Sequence, residues 1–259
     1  MSKVIIKTDD EIQKMRTSGK LAAEVLTLIG EHVKEGVTTE ELNRICHQHI
    51  TEVQQATPAP LNYHGFPKSI CTSINHVVCH GIPGPKKLKK GDILNIDVTV
   101  LKDGYHGDTS KMFFIGEPSI MAKRLVDVTH ECLWRGIEKV RPGATLGEIA
   151  KTIEVYAHKH NFSVVEDFCG HGIGKGFHED PQILHYYDPR NANMNITLEE
   201  GMIFTIEPMI NVGNKKVTIL KDKWTAITKD RSLSAQWEHT ILVTKNGYDV
   251  LTLRDEEKK

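Results

Sequence analysis

Two stretches of the chain read alike: Leu88-Lys-Lys-Gly91-Asp-Ile-Leu-Asn-Ile96-Asp97 and Leu198-Glu-Glu-Gly201-Met-Ile-Phe-Thr-Ile206-Glu207. Each has a Leu, a Gly three positions on, then an apolar run that ends in Ile and a carboxylate. Upstream, Val33-Lys-Glu-Gly36-Val-Thr38-Thr-Glu-Glu41-Leu42 has a counterpart in Val140-Arg-Pro-Gly143-Ala-Thr145-Leu-Gly-Glu148-Ile149. The two pairs keep their order, at offsets of 110 and 107 residues. A solenoid needs shorter periods and at least three copies. Two copies instead suggest one domain, 1–259, made of two related halves (about 1–118 and 119–259). No Ser/Gly linker or low-complexity segment divides it.

Each half has the same coarse order. Ile12, Met15, Leu21, Ala22, Val25, Leu26 and Ile29 recur at helical period across residues 9–30. Thr38, three positions before Glu41, signals the capped start of a second helix. Residues 120–139 and 145–160 repeat that two-helix pattern. Strand-like runs cover 93–101, 112–115, 202–206, 216–220 and 240–244, and Lys102-Asp103-Gly104 is a hairpin-turn signal. Helices followed by strands, twice over, indicate an α+β fold with a mostly antiparallel sheet.

Composition narrows the class. The chain has 259 residues, 39% hydrophobic, with 33 Lys+Arg against 34 Asp+Glu and a net charge of -1. That is a soluble globular protein, and its balance speaks against a protein built to neutralise DNA phosphates. Five cysteines with no C-x-x-C exclude a zinc ribbon and argue against a disulfide scaffold. The start MSKVIIKTDD has no signal-peptide core, and no run approaches the ~18 apolar residues of a membrane helix. A reduced, cytoplasmic setting is expected, with no membrane partner.

The chemistry lies at the ends of the repeated runs. Asp97 sits among Ile93, Leu94, Ile96, Val98 and Val100, and the hairpin is expected to place it almost opposite Asp108. Like charges so placed are destabilising. Either Asp108 caps a turn in Gly107-Asp-Thr-Ser110 and Asp97 pairs with a lysine, or the two share a function such as holding a cation. Glu207 closes its apolar run before the strand-ending Pro208, and Glu238 precedes His239 and another apolar run. If the halves pack about a pseudo-twofold axis, four carboxylates meet. They cannot all ionise without cations, and two divalent ions would neutralise them.

Imidazoles are at hand. Cys169-Gly-His171-Gly-Ile-Gly-Lys-Gly176-Phe-His178-Glu-Asp-Pro181 is a glycine-rich loop that fits neither a dinucleotide fingerprint nor a P-loop. Its glycines allow close backbone approach around His171 and His178. Phe177 and His178, being adjacent, are expected to point to opposite sides of an extended segment. His80 lies in Val77-Val-Cys-His80-Gly-Ile-Pro83, while His76, His106, His185 and His239 are read as hydrogen-bonded core residues. There is no G-x-S-x-G, and Cys79 abutting His80 makes a poor nucleophile–base pair, which disfavours covalent catalysis.

HGIP at His80, NIDVTV…GDTS around Asp97 and Asp108, GHGIG at His171, FTIEP at Glu207 and EHT at Glu238 together resemble the methionine aminopeptidases, of the pita-bread metallopeptidase group. The likeness is to the type I, bacterial-style members. No zinc-binding extension precedes the domain, and the 31 positions from Glu207 to Glu238 leave no room for the type II helical insertion. It implies an enzyme that removes the initiator methionine from nascent chains with a small second residue, a pattern met by Met1-Ser2-Lys3 itself. It also implies two divalent ions (Mn²⁺, Fe²⁺ or Co²⁺) held by Asp97, Asp108, His171, Glu207 and Glu238. Asp108 and Glu238 would bridge them, and His171 would share an ion with Glu207.

A hydroxide between the ions would attack, Glu207 would shuttle the proton, His178 would hold the oxyanion and His80 would face the scissile amide. Tyr63, Phe66, Cys71, Phe177 and Trp224 would line the methionine pocket, with Pro60 and Phe66 standing where bacterial relatives often have Cys and Tyr. A monomer is expected. The Lys86-Lys87-Leu88-Lys89-Lys90 cluster is read as a solvated loop, with ribosome docking as the alternative.

Overall fold

The computed structural model describes residues 4–257, so the Met1-Ser2-Lys3 pattern lies outside the described residues. Four α-helices, α1 (Asp9–Gly30), α2 (Thr39–Gln48), α3 (Ile120–Ile137) and α4 (Leu146–Lys159), occur among them. Each begins at a hydroxyl. The side chains of Thr8, Thr38, Ser119 and Thr145 accept from the amides of Glu11, Glu41, Ala122 and Glu148. Such a cap is typically worth about 1 kcal/mol. Glu11 and Glu148 close reciprocal capping boxes, whereas Glu41 turns outward to Arg44 at 2.6 and 2.9 Å.

The sequence repeat recurs as a repeat of hydrogen bonds. The Leu88 amide donates to the Val37 carbonyl at 2.8 Å, and the Leu198 amide to the Ala144 carbonyl at 2.8 Å. The Gly36 amide donates to Leu88 and the Gly143 amide to Leu198, at 2.9 and 3.0 Å. Isolated bridges join Thr38 to Lys87 and Thr145 to Thr197. Gly36 and Gly143 share a left-handed φ of +85°, which a residue with a Cβ adopts only at a cost.

All strand pairs are antiparallel, gathered in four sheets among the described residues. Two matter for the site. One centres on Ile93–Lys102, flanked by Cys71–Ile74, Thr57–Pro58 and Tyr105–Phe114. The other runs Gly247–Val250, His239–Thr244, Ile203–Ile206, Gly170–Gly172, Glu179–Ile183. In the first, α1 and α2 bury Leu94, Ile96, Val98 and Val100 under Leu26, Ile29 and Leu42. In the second, α3 and α4 bury Phe204, Ile206, Ile241 and Val243 under Leu125, Leu133, Ile149 and Ile153. At ~1.5–3 kcal/mol per buried side chain, these faces fix the alternation of each strand. Asn95, Asp97 and Thr99 therefore face away from the helices. No helix among the described residues is long and apolar enough to cross a membrane.

The hairpin differs in one respect from its sequence reading. Its turn is the two-residue Asp103-Gly104, both at positive φ (50° and 80°), as a type I′ turn requires. That register sets Asp97 opposite Ser110 and Asp108 opposite Thr99, so the carboxylates are diagonal neighbours on one face, not directly opposed. Diagonal pairs are about 7–8 Å apart, which relieves the repulsion and leaves room for a cation. Residues 107–110 are mid-strand, so Asp108 caps no turn.

Candidate metal centre

The two sheets meet at a bridge between Ser110 and Glu238, reinforced where the Asn95 side chain donates to the Gln236 carbonyl at 2.8 Å. Asp108 and Glu238 are 4% and 2% exposed. The Thr99 hydroxyl donates to Asp108 Oδ1 at 2.7 Å. His171 Nδ1 lies 3.0 Å from the Gly172 carbonyl. A carbonyl only accepts, so Nδ1 carries the hydrogen and Nε2 presents a lone pair. Nε2 is 3.7 Å from both Asp108 Oδ2 and Glu207 Oε1. That tautomer, fixed by the carbonyl, is the one a metal ligand needs.

One ligand atom each from Asp108, His171 and Glu238 falls within 4.8 Å of the others. Glu207 is held at both oxygens, by the Thr205 hydroxyl at 2.8 Å and the Gln236 amide at 3.2 Å, and its backbone amide donates to His185 Nε2 at 3.0 Å. Asp97 opens onto the same cavity, of about 270 Å³. Glycine at 170 and 172 is a steric need, because a Cβ there would stand 2.4 Å from the Thr205 carbonyl oxygen and 2.2 Å from that of Asp180.

Burial dominates the electrostatics. It pushes Asp97 up to about 7 and Glu207 up to about 8. Asp108 and Glu238 rise well above the usual carboxylate range through burial first and the neighbouring carboxylates second. Burial also depresses His171 to about 3, keeping it neutral. Among the described residues, no Lys or Arg lines the cavity. Four acids and one neutral imidazole without a basic partner form an oxygen-rich donor set whose charge divalent ions would balance, so these residues fit such ions.

Tyr63, Phe66, Cys71, Phe177 and Trp224 form the less polar part of the same cavity. Phe66 meets Trp224 edge-on at 5.2 Å, and Tyr63 lies 4.9 Å from Phe177. The Tyr63 hydroxyl is 2.7 Å from His178 Nδ1. Burial lowers His178 and His80 to about 4 each. His80 sits at φ +56°, edge-on to Phe168 at 5.3 Å. Strain of this kind in a non-glycine residue gathers at functional sites. Phe177 and His178 do not diverge, since their rings stack at 4.3 Å and 16°. The loop is not an extended strand there, and His106 stacks on the other ring partner, Phe177, at 5.4 Å.

The candidate ligands, the two substrate-facing histidines and the five candidate pocket residues thus line one cavity. Sequence reasoning missed Thr99, Thr205 and Gln236, which orient them. Only strand register brings Gln236 to Glu207, and His185, read as a hydrogen-bonded core histidine, is buried and accepts from the Glu207 amide.

Residues 13–245 match metallopeptidase family M24. The chain is 57% identical to a methionine aminopeptidase of Escherichia coli (strain K12), over 98% of this chain and 96% of that one. It is 59% identical to a methionine aminopeptidase of Rickettsia prowazekii (strain Madrid E), over 96% and 95%. The crystal structure of methionine aminopeptidase from Rickettsia prowazekii superposes with a TM-score of 0.93, covering 97% of this chain and 100% of that one, at 57% identity. A prolidase from Pyrococcus furiosus, 23% identical, shares the pita-bread fold at a TM-score of 0.74, over 97% of this chain and 66% of that one. The chain belongs to metallopeptidase family M24.

Proposed function

We infer that this protein is a metal-dependent methionine aminopeptidase. The observation that carries the reading is one cavity lined by a carboxylate–imidazole cluster, two neutral histidines and an apolar wall. Asp97, Asp108, His171, Glu207 and Glu238 would hold two divalent ions, Mn²⁺, Fe²⁺ or Co²⁺, with Asp108 and Glu238 shared between them. When bound, the ions supply Lewis acidity at neutral pH.

The chain's own residues divide the remaining work. Glu207, fixed at both oxygens, is placed to carry a proton towards the departing amine. His178 is neutral, and the tautomer that accepts from the Tyr63 hydroxyl at Nδ1 carries its hydrogen on Nε2, a donor for the oxyanion. His80 faces the scissile amide. Tyr63, Phe66, Cys71, Phe177 and Trp224 take up the methionine side chain, and a small second residue fits best beyond them. The substrates are nascent N-termini met in the cytoplasm by a monomer, with the 86–90 lysines a candidate ribosome contact.

Release of methionine from Met-Ala-Ser and Met-Lys-Ser, with Mn²⁺ and after chelation, tests the reading. Release from Met-Ala-Ser with Mn²⁺ alone, and far less from Met-Lys-Ser, is expected. Release that survives complete chelation, or none with Mn²⁺, contradicts it.

A further inference from the structure

We infer that Arg254 is a positioning residue for the metal centre, locking Asp108 to Glu238 through Thr109 from behind the cavity wall. This rests on the reading above that Asp108 and Glu238 hold the ions. Arg254 is 1% exposed, although it lies near the end of the chain. A buried guanidinium is costly to desolvate, and a well-packed apolar side chain often does as well for stability. Its partners indicate another use. Nη1 donates to Thr109 Oγ1 at 2.9 Å, and Nη2 donates to Glu257 Oε1 at 2.8 Å. Glu257 Oε2 in turn lies 3.3 Å from His239 Nε2.

Thr109 follows Asp108 and His239 follows Glu238, so by strand alternation both lie on the face opposite the cavity. The Thr109 hydroxyl has one hydrogen, which it donates to the Glu238 carbonyl at 2.7 Å. It must then accept from Arg254, so the chain of donors runs one way, from Arg254 through Thr109 to Glu238. At Glu238 itself the remaining tie, from its amide to the Ser110 carbonyl, is long at 3.3 Å, while the Thr240 hydroxyl donates to the Asp108 carbonyl at 2.7 Å. Without the relay, the Glu238 end of the joint loses its short tie and can shift relative to Asp108, which the Thr240 hydroxyl still holds. Residues that orient ligands in this way typically change metal affinity 10–100-fold when lost.

Titration calorimetry of the metal-free full chain with Mn²⁺ tests this, using Thr109→Val, Thr109→Ser, Arg254→Met, Arg254→Lys and the Thr109→Val/Arg254→Met double variant. Thr109→Val is near-isosteric and keeps the test open should Arg254→Met fold poorly. Thr109→Val and Arg254→Met are each expected to weaken binding by about 10–100-fold. Thr109→Ser should bind as wild type and Arg254→Lys in between. The double variant should be no worse than the weaker single, because both break one relay. KM for Met-Ala-Ser at saturating Mn²⁺ should stay within about twofold. Wild-type affinity in Thr109→Val, or additive losses in the double variant, overturns the inference. Asp108→Ala is the control for the reading beneath it: if that variant binds Mn²⁺ as wild type does, the ligand assignment itself falls.

Discussion

Phe177 and His178 are chain neighbours to which the proposed function gives different tasks. An oxyanion donor acts in the transition state, so His178→Ala should lower kcat by about 10²–10³ with little change in KM. A pocket wall serves ground and transition states alike, so Phe177→Ala should raise KM chiefly. Because the two rings stack, some loss of kcat should accompany it. Steady-state kinetics at saturating metal separate the two, and a raised KM with unchanged kcat in His178→Ala would withdraw the oxyanion role. The buried carboxylates make a second prediction. Above about pH 7.5 the depressed histidines are close to neutral in folded and unfolded states alike and drop out. Metal-free protein still holds protons on Asp97, up to about 7, and Glu207, up to about 8, which the unfolded chain has lost. Unfolding therefore releases protons, and stability falls as pH rises from about 7.5 to 9, by roughly 1 kcal/mol from these two groups. Bound Mn²⁺ keeps the carboxylates ionised and should abolish the fall. Thermal melts with Mn²⁺ and with chelator check this; a chelated protein whose melting temperature is flat or rising over that window contradicts it.

At the scale of the element, the glycine loop and the hairpin show what a sequence reveals. Asp97 and Glu207 were legible because each sits at a place where an apolar run should stay apolar. The close-approach role of the loop glycines was legible from their number. The Tyr105–Phe114 strand was legible only over its last residues, since buried His106, Asp108, Thr109 and Ser110 break its hydrophobic pattern. Those residues are polar because they serve the site, so the pattern fails where function overrides it. The orienting partners carry no local signature, being single Thr, Gln or His residues placed by register. Gly172→Ala should force the Gly170–Gly172 strand from its Glu179–Ile183 neighbour and displace His171, because the new Cβ meets backbone, not a yielding side chain. The expected outcome is a loss of about 1–3 kcal/mol in stability and at least tenfold weaker Mn²⁺ binding. Chemical denaturation and calorimetry measure both, and wild-type Mn²⁺ affinity in this variant would refute the strict need for glycine.

For the whole molecule, duplication explains why the site lies where it does. Each repeat buries one face of its strands under two helices and leaves the other face, with its terminal carboxylate, turned inward. Joining two such units brings acid to acid, a concentration of charge that divalent ions would balance. The repeat was legible because loop geometry preserved its glycines and threonines. The division into four sheets was not, because strands of two or three residues such as Thr57–Pro58 and Val77–Cys79 are too short to set a period. Anomalous diffraction from a crystal of the protein loaded with Mn²⁺ tests the central claim most directly. Two manganese peaks are predicted in the cavity, with Asp108 and Glu238 touching both, Asp97 one, and His171 and Glu207 the other; peaks outside the cavity, or ions held without His171 and Glu207, would contradict it.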